Sequence, residues 1–209
     1  MDVITSIRRE RGKFRVTING NEDVLVPLAL FRERPLNEGE PIDLASYDQW
    51  LMVRQYRFAL DRAVAALAAR ACSRKEISDK LTRIGYRPCT VEMVLYKLER
   101  EHLLNDEDFA QQWADARSRH GLGRQRIAQE LRQKGIDSEQ IETVLSSIDE
   151  DEQLESAAAL AEKALRRAKK DEEPRKTMAR VMAMLARKGY GYGVAREAVE
   201  KAKNKLETE

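Results

Sequence analysis

The side chains in this sequence best able to do chemistry are basic, and they recur. Arg74, Lys75, Lys80 and Arg83 form one group; Arg124, Arg126, Arg132 and Lys134 a second; Arg175, Lys176, Arg180 and Lys188 a third. Guanidinium and ammonium groups at helical spacing do not make or break bonds by themselves. They bind anions, and arginine can grip a phosphate or carboxylate through two parallel hydrogen bonds. A row of such groups can follow a helical polyanion. The chemistry implied is therefore noncovalent recognition of a charged polymer or of an acidic protein face.

Groups suited to catalysis are sparse. His102 and His120 lie far apart, Cys72 and Cys89 lack CxxC spacing, and no H-x-x-x-H pair exists. Metal sites need such clustered ligands. Neither a G-x-S-x-G elbow nor a G-x-x-x-x-G-K-[ST] loop is present, so nucleophile-elbow and P-loop chemistry are excluded. The Gly189–Gly193 run GYGYG follows a helical pattern rather than a strand, which makes it a helix-ending turn, not a nucleotide loop. Phe109, Trp113, Tyr86 and Tyr190 are candidate base-stacking rings. Phe109 and Trp113 fall on an apolar helical face, however, and the tyrosines directly follow capping glycines, so core roles fit all four better. The expectation is no enzyme activity, no metal and no cofactor.

The elements that carry the basic groups repeat as well. Taking Gly85, Gly135 and Gly189 as origins, Leu81, Leu131 and Leu185 stand four residues earlier, and Ile77, Ile127 and Val181 eight earlier. Tyr86, Ile136 and Tyr190 follow the glycine. At offsets +6, +9, +10 and +13 come Val91, Val94, Leu95 and Leu98; Ile141, Val144, Leu145 and Ile148; and Ala195, Ala198, Val199 and Ala202. These offsets describe an apolar helix ended by a glycine, then a second apolar helix. The pattern defines a tandem repeat of three-helix units. Ser73 with Glu76 reads as a capping box, Asp137 as an N-cap and Pro174 as a first-turn residue.

Residues 1–44 follow a different rule. Phe14, Val16 and Ile18 alternate with polar residues, Asn19-Gly20-Asn21 signals a turn, and Val24–Val26 reads as a returning strand. Ile4–Arg9 adds a third strand across Arg11-Gly12, and a short helical turn falls near Leu28–Arg32. So few strands are unstable alone, so this module is expected to pack on the first repeat. The resulting fold class is all-α: an elongated tandem array of three three-helix repeats with a small N-terminal β module. The expected boundaries are 1–44, 45–104, 105–149 and 150–209. Repeats of this helix length are about 20 Å across, so three would span roughly 60 Å.

Net charge is only +2, with 35% charged residues and 6% aromatic. The near balance hides segregation. Arg117–Lys134 carries six basic residues against one acidic, and Lys163–Lys188 ten against three. Asp137–Glu155 carries eight acidic residues and no basic ones. Faces of opposite sign follow from such separation. The longest apolar run, Ala63–Ala69, is seven residues, far short of the ~20 that a membrane span needs. The N-terminus lacks the apolar core of a secretory signal, and two unpaired-looking cysteines suit a reducing compartment. The expectation is a cytoplasmic protein without a membrane partner.

The stretch DEDFAQQWADARSRHGLGRQRIAQELRQKGI from Asp106 to Ile136, with SRKEISDKLTRIGY from Ser73 and LLNDEDFA from Leu103, resembles the RecX family of bacterial RecA modulators. The resemblance covers about the C-terminal three-quarters of the chain and weakens in the third repeat, where small residues replace large ones. It implies a monomeric, non-enzymatic regulator that binds the RecA recombinase filament, with single-stranded DNA as a further contact. It also implies that the ATPase and strand exchange of the filament are restrained, in DNA repair, recombination and the SOS response. Two other readings stay open: a general DNA-binding protein of helix-turn-helix-like units, and a helical protein-interaction scaffold.

Overall fold

A computed structural model describes residues 2–168 and 173–208. Four residues of the basic stretch Lys163–Lys188, 169–172, lie outside the described residues. The chain divides into two compact units, Met1–Asn105 and Asp106–Glu209.

The first unit begins with β1 (Asp2–Glu10), β2 (Lys13–Ile18) and β3 (Glu22–Pro27), followed by a short helix α1 (Leu28–Glu33) and β4 (Pro41–Ile42). The strands pair antiparallel in the order β3-β2-β1-β4. Gly12 at φ +84 and Gly20 at φ +79 make the two tight turns, a backbone region that side chains disfavour. Ile4, Val16, Ile18 and Val26 face inward against Leu30, Tyr47 and Leu51. The meander was readable in the alternation; the short β4 was not, because Pro41-Ile42 carries no strand period.

Three helices complete this unit: α2 (Leu44–Ala69), α3 (Arg74–Ile84) and α4 (Pro88–Arg100). Asp43 caps α2 by accepting from the Ser46 amide at 3.1 Å. The capping box is formed by Ser73 and Glu76. The buried face of α2 is Tyr47, Leu51, Gln55, Ala59, Ala63 and Ala66, whereas Val64 is 42% exposed. Tyr56, Leu60 and Leu67 are only partly buried, because small alanines line the buried face of α2. Buried Gln55 accepts the Arg87 backbone N–H at 2.9 Å, which fixes the entry to α4.

In the second unit, α5 (Asp106–Arg119), α6 (Arg124–Gln133) and α7 (Ser138–Ser146) enclose one core. A second core lies among α8 (Glu150–Arg166), α9 (Pro174–Arg187) and α10 (Tyr192–Thr208). The repeat offsets hold in atomic detail. Leu81, Leu131 and Leu185 are each 0% exposed, and Ile77, Ile127 and Val181 at most 1%. After each of these helices the glycine is left-handed: Gly85 at φ +101, Gly135 at φ +83 and Gly189 at φ +89. The next residue donates back to the leucine carbonyl in every copy: Tyr86 to Leu81 at 3.3 Å, Ile136 to Leu131 at 3.1 Å, and Tyr190 to Leu185 at 3.1 Å. The glycine itself donates to Thr82, Arg132 or Ala186. This is the Schellman arrangement, which satisfies carbonyls that a helix end would otherwise leave bare.

Repeats two and three meet main chain to main chain. The N–H groups of Gly123 and Gln125, at the start of α6, donate to the carbonyls of Lys188 (2.9 Å) and Gly189 (3.1 Å), at the end of α9. Gly123 has no side chain to cap α6, and the facing turn does that work instead. A Cβ on Gly123 would stand 2.3 Å from the Gly189 oxygen, and one on Gly189 would stand 2.3 Å from the Arg126 nitrogen. Positive and negative helix ends face each other at this joint.

Candidate nucleic-acid and partner interface

Each basic group rides on the second helix of its repeat, and the structure divides the groups by what surrounds them. In the first, Arg74 reaches two carboxylates of α4, Glu99 at 2.8 Å and Glu92 at 2.6 Å. The Glu92 bond is the main reason its guanidinium holds its proton more firmly than usual. Lys75 pairs with Asp79 one turn along, at 2.7 Å. Lys80 and Arg83 are exposed.

In the second group, Arg124 bonds Glu150 at 3.0 Å and donates to the Ile148 carbonyl, clamping the start of α8 to α6. Arg126 stands 3.4 Å from Glu130 and donates to Gln129. The Lys134 ammonium sits 4.1 Å from the centre of the Trp113 ring, with Arg117 at 4.2 Å. The Trp113 indole N–H donates to Glu130 at 3.1 Å. This cluster explains much of the local positive excess: cation–π attraction and ion pairs hold α5 on α6. Arg132 is exposed.

In the third group Arg175, Lys176 and Arg180 are exposed. Lys176 lies 3.6 Å from Glu173 on its own helix. Lys188 is half-buried and donates to the Gly121 carbonyl at 3.5 Å, across the joint between repeats. Arg74, Lys75, Arg124, Arg126, Lys134, Lys176 and Lys188 therefore have partners within the fold. Lys80, Arg83, Arg132 and Arg175 are exposed with no ion pair among the described residues, and Lys176 and Arg180 are exposed as well.

The stacking candidates also resolve. Phe109, Tyr86 and Tyr190 are at most 4% exposed, and the Tyr190 hydroxyl is 3.0 Å from the Ser156 hydroxyl. Burial pushes the Tyr86 and Tyr190 phenols up. Trp113 is half-buried between its two cations.

One concavity brings Lys80 and Arg83 together with cations that the repeat pattern does not single out. It encloses about 550 Å³ and gathers Arg11 from the β1–β2 turn, Arg32 from α1, Arg62 from α2, and Lys80 and Arg83 from α3. All five side chains are exposed and have no ion pair among the described residues. No carboxylate lines it; Leu28, Ala29 and Ile84 contribute to the floor. The walls are held by backbone: the Leu28 amide donates to the Gly12 carbonyl at 3.0 Å. Gly85 lets the hairpin close on the end of α3, since its missing Cβ would stand 3.0 Å from Lys13 Cδ and 3.4 Å from Leu25 Cβ. Arg11, Arg32 and Arg62 lie on three distant segments, and only the Arg11-Gly12 turn signal hinted that one of them sits at a rim. A second depression of about 410 Å³, by Arg124, Glu150, Asp151 and Glu197, is rich in carboxylates and unsuited to a polyanion. Among the described residues no group of three or more His, Cys, Asp or Glu could hold a metal ion. Nor, among them, is any helix long and apolar enough to cross a membrane.

Fold and surface together define a protein of three tandem three-helix domains, behind a small sheet, with cationic second helices. The chain belongs to the RecX family: its first, second and third three-helix domains match residues 59–98, 105–145 and 150–199. It is 44% identical over 139 residues to the regulatory protein RecX of Mycobacterium sp. (strain JLS), covering 64% of this chain and 75% of the relative. The regulatory protein RecX of Mycolicibacterium smegmatis is 36% identical over 173 residues, covering 79% of this chain and 91% of that one. A crystal structure of regulatory protein RecX superposes with a TM-score of 0.65 at 25% identity, over 94% of this chain and 98% of the other. The crystal structure of RecX from Lactobacillus salivarius shares the fold at 23% identity, with a TM-score of 0.67 over 73% of this chain and 99% of the other.

Proposed function

We propose that this chain is a non-enzymatic regulator that binds the RecA recombinase–single-stranded DNA filament and restrains its ATPase and strand exchange. In this reading it acts in the cytoplasm as a monomer, in DNA repair and recombination. The observation that carries the reading is the match of all three RecX domains, in order, to the repeats whose second helices bear the basic groups. Exposed Arg132, Arg175, Lys176 and Arg180 supply positive charge for an acidic or phosphate-bearing filament surface. We take 1–44, 45–104, 105–149 and 150–209 as the working modules.

The test is recombinase ATPase and strand exchange on single-stranded DNA, with this chain added below stoichiometry. Slowed hydrolysis and exchange are expected; no change in either removes the reading, and stimulation reverses its sign. Charge reversal at Arg132 and Arg175 should weaken the effect while leaving helicity and melting as in the parent. Binding to DNA-free recombinase separates this reading from that of a general DNA-binding protein, which the cationic concavity also favours.

A further inference from the structure

We infer that the concavity between the β module and the first repeat is a channel for the sugar–phosphate backbone of single-stranded nucleic acid, and that the β module serves to complete it. The inference rests on the filament-regulator reading for its setting, and on the geometry below for its content. Five like charges, Arg11, Arg32, Arg62, Lys80 and Arg83, converge on about 550 Å³ from four separate segments. Their mutual repulsion opposes folding in the absence of an anion, since none of the lining residues is a carboxylate. An anion with spaced charges turns that repulsion into attraction, and four of the five groups are guanidiniums, which bond phosphate in pairs.

The shape selects among anions. The one ring in the lining, Tyr86, is 4% exposed, so bases have no platform to stack on and the channel reads charge without reading sequence. A concave site of this volume suits one strand. A duplex sets its two backbones either side of a major groove about 12 Å wide and is better met by a convex helix. Peptides commonly add to a free sheet edge or lay an apolar helix in a groove. Here the sheet offers the β1–β2 turn and, from the edge strand β3, only its last residue Pro27, which has no N–H with which to pair an added strand. An evenly charged single strand fits these features best.

The experiment is fluorescence anisotropy of a labelled oligothymidylate with the full-length chain, titrated across salt and without recombinase. Arg11→Gln, Arg32→Gln and Arg62→Gln combined should weaken binding by on the order of tenfold or more at low salt. They should also flatten the log–log salt slope by about 2, at roughly 0.7 per contact. Single Arg62→Gln and Lys80→Gln variants should each flatten it by about 0.7, and serve if the triple variant proves less stable. The control removes equal charge on α10, at Arg196, Lys201 and Lys203, whose ammonium and guanidinium groups already pair with Glu200, Glu155 and Glu207. It should bind as the parent does. Equal weakening by the control, an unchanged slope in the groove variants, or no binding by the parent at low salt each overturns the channel. Groove variants that bind the oligonucleotide normally but lose recombinase restraint also overturn it, by placing the groove against protein. Loss of oligonucleotide binding with restraint intact upholds the channel and shows that restraint does not depend on it. A parent that binds the oligonucleotide through the groove but never restrains the recombinase tells against the filament reading alone.

Discussion

Tyr47 shows what a single atom can cost this fold. Its ring is buried beside Trp50 with the Arg34 guanidinium over it, yet the hydroxyl has no hydrogen-bond partner among the described residues. Burial pushes the phenol up to about 12 from an ordinary 10.0. A raised phenol pKa means that the neutral form is favoured in the fold. The stabilisation is complete below about pH 10 and disappears as pH rises to about 12. Tyr47→Phe should be neutral or stabilising at pH 7, because a buried, unpaired hydroxyl is removed. It should also spare about 2–3 kcal/mol of the alkaline loss, measured as the difference between parent and variant melts at pH 8 and pH 12. Equal alkaline loss in both would show the phenol to be irrelevant. Arg124 and Arg132 provide the contrast among the cations. Arg124→Ala removes a charged hydrogen bond to the Ile148 carbonyl and should cost roughly 1.5–3 kcal/mol. Arg132→Ala, at an exposed position, should change stability by under about 0.5 kcal/mol. Similar denaturant midpoints for the two would refute that division. Basic residues could be found in the sequence, but not sorted. The sorting depends on partners such as Glu92, Glu99 and Glu150, which no local pattern links to them.

At the scale of elements, the glycine turns were legible and the joint they make was not. The left-handed residue and the leucine four places earlier are set by a few bonds within one turn, so the offsets carry them. Leu131, 0% exposed, should cost about 2–5 kcal/mol on truncation to Ala. The approach of Gly123 to Gly189 joins residues from different repeats, and neither neighbourhood announces it. Gly123→Ala isolates this joint, because Gly123 has an ordinary φ of −80 and any loss must come from the collision with Gly189. Its denaturant midpoint should fall clearly. Gly85→Ala, despite a positive φ, meets mainly the flexible end of Lys13 and should fall less. The reverse order would mean that backbone strain, not close approach, sets these positions.

Across the whole molecule, cores and reporters happen to segregate. Trp50 packs with the core of the sheet and Trp113 with that of the middle repeat. Variants keeping one tryptophan each therefore watch one unit each. Gly123→Ala should lower the transition reported by Trp113 and leave that reported by Trp50 in place. Coincident shifts would show a single cooperative transition. The three-repeat plan was visible at this scale from periodicity alone. The groove beside the sheet was not, since its cations come from four segments and only the folded chain assembles them.

The Gly123–Gly189 joint has a bearing on design. Because the two repeats meet in part through peptide groups, side chains other than those that also cross the joint, such as Arg124 and Lys188, can be rewritten without touching that main-chain contact. Anyone wishing to lengthen such an array would need little more than a copied unit, provided that one glycine stands ahead of its second helix and another just after it. The interlock is a plug and socket made of main chain, and glycine is the clearance that lets it close.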